Sequence, residues 1–307
     1  MIFSVYLVII MFIVAVCYGI IPIIGGFYIR NKWRKFRNRF NDMRLSPLLD
    51  YRLYRHLEKE GGLFRFSGSF ESITDGHTLW VRGKDLSIPV SLEKTKCYIF
   101  PIHEGVGIPQ APELIRWNRV STITEGSKVF IGGLLKSQDN RLNFVSTKEH
   151  PLVVIFYSCT DDEFTSAIIR AARTRNEYWN NITPISLIIG AIILIFIATF
   201  FLNRPAFRLT VITALAAIFI PILPIFPPGF LFTILYRRLT WSARKLRVYW
   251  DLARFGLLPG SNNKIIRRYA IRAYSLEIIA WIIVLLGIAI NIVFIFLILS
   301  LFQIISF

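Results

Sequence analysis

Four long apolar stretches constrain this chain before anything else does. Residues 2–29, 185–202, 209–235 and 278–302 each approach or exceed the length needed to cross hydrocarbon about 30 Å thick. With 54% hydrophobic residues in 307 and a mean hydropathy of +0.52, the expected class is an integral membrane protein. The first stretch has no basic residues before it, and Arg30, Lys32, Arg34, Lys35, Arg37 and Arg39 follow it. A cleaved signal peptide has the opposite polarity, so residues 1–29 read as an uncleaved anchor. Ala15 and Gly19 in that stretch, and Ser186 and Gly190 in the second, form small-residue pairs suited to helix packing.

The formal net charge of +17 is concentrated beside these stretches. Residues 48–160 carry 14 Lys/Arg and 12 Asp/Glu, whereas 30–47 carry 7 Lys/Arg, 161–180 carry 3 and 237–272 carry 10. Such clustering is a topology signal rather than a nucleic-acid surface, so no nucleic-acid partner is expected. Only Arg204 and Arg208 lie on the opposite side. The positive-inside rule therefore predicts four spans with both termini on the outer side and the polar parts in the cytoplasm.

Between the first two spans lies a mixed-polarity region, residues 62–160. Phe64 and Phe66 alternate with Arg65 and Ser67, and Leu142 and Phe144 alternate with Arg141 and Asn143. Turn signals separate such runs at Asp75-Gly76, Gly83-Lys84-Asp85 and Ser137-Gln138-Asp139-Asn140. This pattern predicts a soluble β-domain. Before it, residues 30–61 read as a basic juxtamembrane segment with a short surface helix from Pro47, placing Leu49, Leu53 and Leu57 on one side. Inside it, residues 101–118, with Pro101, Pro109 and Pro112, read as a long irregular excursion. Gly132-Gly133 within the run 129–135 signals a bulge or a close backbone approach.

Residues 161–181 read as an amphipathic helix, with Phe164, Ala167, Ile168, Ala171 and Ala172 on one face. Residues 182–236 then form a transmembrane hairpin. Its second arm carries Pro221, Pro224, Pro227 and Pro228, each costing about 3 kcal/mol inside a helix, so it is expected to kink or break. Residues 237–275 read as a basic amphipathic helix pair lying on anionic headgroups, with Arg244, Lys245, Arg247, Arg267 and Arg268 as the lipid contacts. Residues 276–307 form the last span. There Gly287 and Asn291 read as helix-packing positions, and Glu277 sits at the edge.

Chemistry is sparse. His56, His77, His103 and His150 lack metal-ligand spacing, and HExxH, CxxC and GxSxG do not occur. His103-Glu104 is the one adjacent acid/base pair of interest. Gly126, Gly132 and Gly133 are not followed by the Lys-Ser/Thr of a phosphate loop. The sequence permits a Cys97–Cys159 disulfide and favours buried free thiols in a reducing compartment. Span interiors hold no Asp, Glu, Lys, Arg or His, which argues against ion-coupled transport and intramembrane proteolysis. No catalytic residue, cofactor or metal is expected.

The run Gly126-Ser127-Lys128-Val129-Phe130-Ile131-Gly132-Gly133-Leu134-Leu135 is followed by Asn140-Arg141-Leu142-Asn143-Phe144. A strand and the helix at 161–180 then lead directly into a span. This order resembles the membrane-adjacent GIDE (beside-a-membrane) domain proteins, whose eukaryotic members are organelle-membrane ubiquitin ligases. The likeness covers residues 1–203 as an architecture and about thirty residues as a motif. No Cys follows Cys159, so the RING-type zinc module of that family is absent, and residues 204–307 have no counterpart. The resemblance implies a compact β-barrel-like domain with protein or lipid contacts, without ubiquitin chemistry.

The resulting expectation is an α+β integral membrane protein. Four transmembrane helices carry a small cytoplasmic β-barrel-like domain inserted between the first and second. The expected role is a non-catalytic scaffold or assembly factor, its partners being anionic membrane lipids and a protein partner or second copy. The alternative is a subunit of a membrane transport or export complex.

Overall fold

A computed structural model describes residues 2–56, 62–93, 95–100, 112–138, 141–174, 182–225 and 229–305. In chain order the elements begin with α1 (Ile2–Val14), a π-helical turn (Ala15–Ile20), α2 (Ile21–Leu45) and α3 (Tyr51–His56). The strands are β1 (Leu63–Thr74), β2 (Thr78–Arg82), β3 (Ser87–Ser91), β4 (Lys96–Phe100), β5 (Glu113–Arg116), β6 (Lys128–Gln138), β7 (Arg141–Val145) and β8 (Val153–Tyr157). Then follow α4 (Asp161–Thr174), α5 (Ile182–Phe201), α6 (Arg208–Ile218), a 3₁₀ segment (Ile220–Ile225), α7 (Gly229–Arg254) and α8 (Asn263–Ile305). Two compact units result, one of Lys32–Arg175 and one of Met1–Asn31 with Asn176–Phe307.

The first of these units is built on a closed five-stranded barrel. Strand β1 is long enough to serve two partners: Leu63–Ser69 pair with β6 and Ser69–Thr74 with β2, the second ladder carrying a bulge between Phe70 and Ser72. Asp75 and Gly76 adopt positive φ and turn β1 into β2, as an Asp-Gly hairpin requires. Strand β3 follows antiparallel to β2, then meets β7 in parallel at Val90 and Phe144. Antiparallel β7–β6 and β6–β1 ladders close the circle. A meander of three strands, a parallel closure and an antiparallel return make a Greek-key barrel of the OB type. Its interior is filled by Phe64, Phe66, Leu79, Val81, Ile131 and Phe144, among others.

Beyond the barrel the sheet continues from β6 through β8 and β4 to β5. Every residue of β8 is buried, because both faces are covered. Val154 and Phe156 join the barrel core. On the other face Phe36 of α2 lies 4.4 Å from Tyr98, and Phe40 lies 5.6 Å from Phe130. Phe164 of α4 lies 4.1 Å from Tyr157, measured between ring centroids. The glycine pair in β6 permits this layering. A Cβ at Gly132 would stand 2.6 Å from Met43 Cβ, and one at Gly133 2.5 Å from Leu152 Cδ1. The cause is close approach, since the β1–β6 register runs through both glycines without a shift.

Several sequence expectations change here. The basic juxtamembrane segment after residue 30 is helical and contributes to a core, because α2 runs to Leu45 and buries Trp33, Phe36, Phe40 and Met43. Residues 47–49 are extended: Leu49 N–H donates to Arg65 O at 2.8 Å, so among the described residues after Pro47 the short helix is Tyr51–His56. The excursion expected over 101–118 contains strand β5 and a 3₁₀ turn from Trp117, while 101–111 lie outside the described residues. Helix α4 buries Phe164, Ile168, Ala171 and Ala172 as expected, and also Ile169; residues 175–181 lie outside the description.

Among the described residues four helices are long and apolar enough to cross a membrane: Val5–Leu45, Ile182–Phe201, Pro205–Ile222 and Asn263–Val293. The stretch at 209–235 is not one helix. Helix α6 stops at Ile218, Pro221 and Pro224 fall in the 3₁₀ segment, and Leu231–Leu235 belong to α7. An apolar core of Ile10, Leu194, Ala198, Phe201, Val211 and Ala214 joins α1, α5 and α6.

Candidate functional site

Helices α7 and α8 form an antiparallel hairpin whose register is given by its cross-contacts. Gly229 meets Asn291, Phe232 meets Gly287, Tyr236 meets Trp281, Arg247 meets Glu277, and Tyr249 meets Tyr269. At one end, the first amide of α7 has no partner within its own helix. Gly229 N–H donates instead to the buried Asn291 Oδ1 at 3.1 Å. A side chain at position 229 would displace the Asn291 amide, with which its Cβ would collide, and a Cβ at Gly287 would stand 2.8 Å from Phe232 Cβ. Asn291 thus caps a helix that starts just beyond Pro227-Pro228.

Toward the middle, Tyr236 and Trp281 stand edge to face at 6.3 Å. Next to them is an ion cluster that the sequence did not single out. Glu277 Oε2 accepts from Arg247 of α7 and from Arg30 of α2, the latter at 3.4 Å. One carboxylate therefore ties three helices. Glu277 beside many cations was visible in the sequence; its partners were not, since Arg30 is 247 positions away.

The other end is basic. Arg237, Arg238, Lys245, Arg254, Lys264, Arg267, Arg268 and Arg272 are exposed. Lys245 lies 5.5 Å over the Trp241 ring and Arg254 lies 5.7 Å over Trp250. Tyr249 and Tyr269 stack at 5.9 Å, holding the two helices together. Of the five expected lipid contacts, Arg267 and Arg268 are exposed and Lys245 leans on Trp241. Arg244 is half-buried, and the Arg247 side chain, 11% exposed, is spent on Glu277. Nor is the basic pair separate from the last span, because α8 runs unbroken from Asn263 to Ile305. The chain matches no protein-family model, and no curated protein matches its sequence.

The remaining sequence-selected residues scatter. Ser186 is buried and donates to Thr183 O at 2.9 Å; a Cβ at Gly190 would meet Tyr18 and Cys17 within 2.8 Å. The expected pair on the first helix is not the contact. Ala15 is exposed, and a Cβ at Gly19 meets nothing within 4 Å. Both lie in the π-helical turn, whose extra residue stops positions four apart from returning to one face, so Cys17 and Tyr18 make the approach. Close to that contact, a recess of about 380 Å³ is lined by Ile10, Val14, Ala216, Ala217, Ile220 and Ile292, with Thr213 the one polar side chain.

In the barrel unit the two cysteines pack rather than pair. Cys97 and Cys159 are buried and free; burial pushes the Cys97 thiol up to about 12, and burial also raises Cys159. Lys128 Nζ donates to Asp161 Oδ1 at 3.0 Å and to Cys159 O at 3.3 Å, fastening β6 to the start of α4. Burial first, and Asp161 second, raise the Tyr157 hydroxyl, which donates to Asp161 at 3.3 Å. Among the described residues no three of His, Cys, Asp and Glu group as metal ligands. His77 Nδ1–H donates to Asp75 O in the hairpin turn, His56 ends α3, and His103-Glu104 lie outside the described residues.

Proposed function

We propose that this protein is a non-catalytic, membrane-anchored scaffold or assembly factor. In this reading four spans place both termini on the outer side, and the barrel, inserted between the first two spans, shares the cytoplasmic side with the basic end of the α7–α8 hairpin. The observation that carries it is the division of that hairpin. Below Tyr236 and Trp281 its described exposed side chains are apolar, and its exposed Arg and Lys side chains all lie above them. Tyr and Trp favour the headgroup level, and cationic side chains favour the anionic cytoplasmic face.

Lipid contact then falls on Arg237 and Arg238, which follow Tyr236 directly and are exposed. Each is worth about 1 kcal/mol near an anionic surface. The test is purification of the full chain in mild detergent with mass spectrometry of retained lipids and proteins. Retained anionic lipid, reduced in an Arg237→Gln/Arg238→Gln variant, supports the reading; equal retention in that variant sinks it.

The alternative, a subunit of a transport or export complex, draws on the break between α6 and α7. Half-helix ends of this kind bind substrates when they are open to a cavity. Here the end is occupied by Asn291, and the recess nearby is apolar. A stoichiometric membrane partner in the same preparation would favour the alternative.

A further inference from the structure

The basic end of the hairpin is too long to be spent on one lipid surface. Arg268 precedes Trp281 by 13 positions and Lys264 by 17, about 20 Å and 26 Å along a continuous helix. Tilts typical of spanning helices shorten these heights little. At physiological ionic strength exposed charges are screened over about 8 Å. If Tyr236 and Trp281 mark the headgroups, as the proposed function holds, Arg237 and Arg238 are within reach of them. Arg254, Lys264, Arg267 and Arg268 are not. Four exposed cations crowd the last turns on both sides of the 255–262 connection.

We infer that this distal cluster is a docking surface for an acidic protein segment. Three observations select that occupant. Three of the four cations are arginines, whose planar guanidinium pairs carboxylates with two parallel hydrogen bonds. The neighbouring rings are already engaged: Arg254 covers Trp250, and Tyr249 stacks on Tyr269. Single-stranded nucleic acid needs open aromatic faces for its bases, so these rings serve as a rigid backing for the cations instead. The hairpin is also braced at its base by Glu277, with Arg247 and Arg30, so the cluster is presented on a supported stem. Arginine beside tyrosine and tryptophan is the composition of protein-interface hot spots.

The experiment uses the full chain in nanodiscs of zwitterionic lipid, with a labelled peptide of about twenty alternating Glu and Gly residues as probe. Its readout is paired with anionic-lipid retention in detergent. The Arg267→Gln/Arg268→Gln variant should weaken peptide binding about tenfold and leave lipid retention unchanged. The Arg237→Gln/Arg238→Gln variant should do the reverse, which also shows that each variant is folded. A distal variant that loses lipid and keeps peptide overturns the docking surface while leaving the lipid reading intact. Tighter binding of a single-stranded oligonucleotide than of the peptide, lost in the distal variant, also overturns it. Lipid retention unaffected by either variant, with peptide binding still lost distally, overturns the membrane reading and keeps the acidic-partner site.

Discussion

Gly132 in the barrel and Gly229 in the α7–α8 hairpin both exist because another element comes too close for a Cβ, yet the intruders differ in kind. Over Gly132 it is Met43, an apolar side chain from a helix laid across a sheet whose own hydrogen bonds are complete. Over Gly229 it is the Asn291 amide, which supplies the bond that the start of α7 lacks. Inside the sheet the ladder satisfies the backbone, so packing is free to be apolar. At a helix broken by proline an apolar neighbour leaves an amide unpaired at a cost of about 1–3 kcal/mol, so packing there has to be polar. Close approach is the shared requirement; what has to be approached is set by where the backbone hydrogen bonds go.

The comparison is sharpened most by alkali, acting through the buried thiol of the barrel unit. With Cys97 raised from an ordinary value near 9 to about 12, the stability from keeping its thiol neutral is complete below pH 9. It is lost as pH rises from 9 to 12, by on the order of 4 kcal/mol. Tyr157, also raised, adds to the loss in the same direction. Alkylation of Cys97, followed by peptide mass spectrometry, should accelerate across that window, and Cys97→Ala should blunt the loss of barrel stability to urea between pH 9 and 12. A urea stability that stays flat across that window would remove the claim of a dry core.

Next in size is Gly132→Val. The branched side chain meets Met43 near its backbone rather than at a flexible tip, so the expected loss is about 3 kcal/mol, read as earlier urea unfolding of the barrel. Met43→Ala in the same chain should recover part of it. Asn291→Leu should cost about 1–2 kcal/mol, with faster hydrogen exchange at the start of α7 and no change in the barrel. A disturbance of both units by either variant would break the comparison. The smallest effect belongs to Glu71→Gln, which loses an exposed pair with Arg82 and a 3.0 Å bond from Ser87, worth about 0.5 kcal/mol in thermal unfolding.

Much of this was legible from residues alone. Long apolar runs, alternating Phe64–Ser67 and Arg141–Phe144, the Asp75-Gly76 turn and the prolines after Phe219 each act through local sterics or local hydrophobic period, which sequence states directly. Their products are the four apolar helices, the strands, the hairpin turn and the end of α6 at Ile218. The stripe Trp33, Phe36, Phe40 and Met43 was equally legible by its three- and four-residue steps, but the surrounding Arg and Lys concealed it.

What only the tertiary structure decided are the matters that depend on which distant segments meet. Barrel closure needed Val90 beside Phe144, and the cap on α7 needed a side chain 62 positions away. The ion cluster needed Arg30 to reach Glu277 from another helix, and the Arg247 side chain is engaged by that same carboxylate. Spacing along a chain encodes the period of one element. A pairing across elements has no period, because it is chosen by the burial and hydrogen-bond demands of the whole fold.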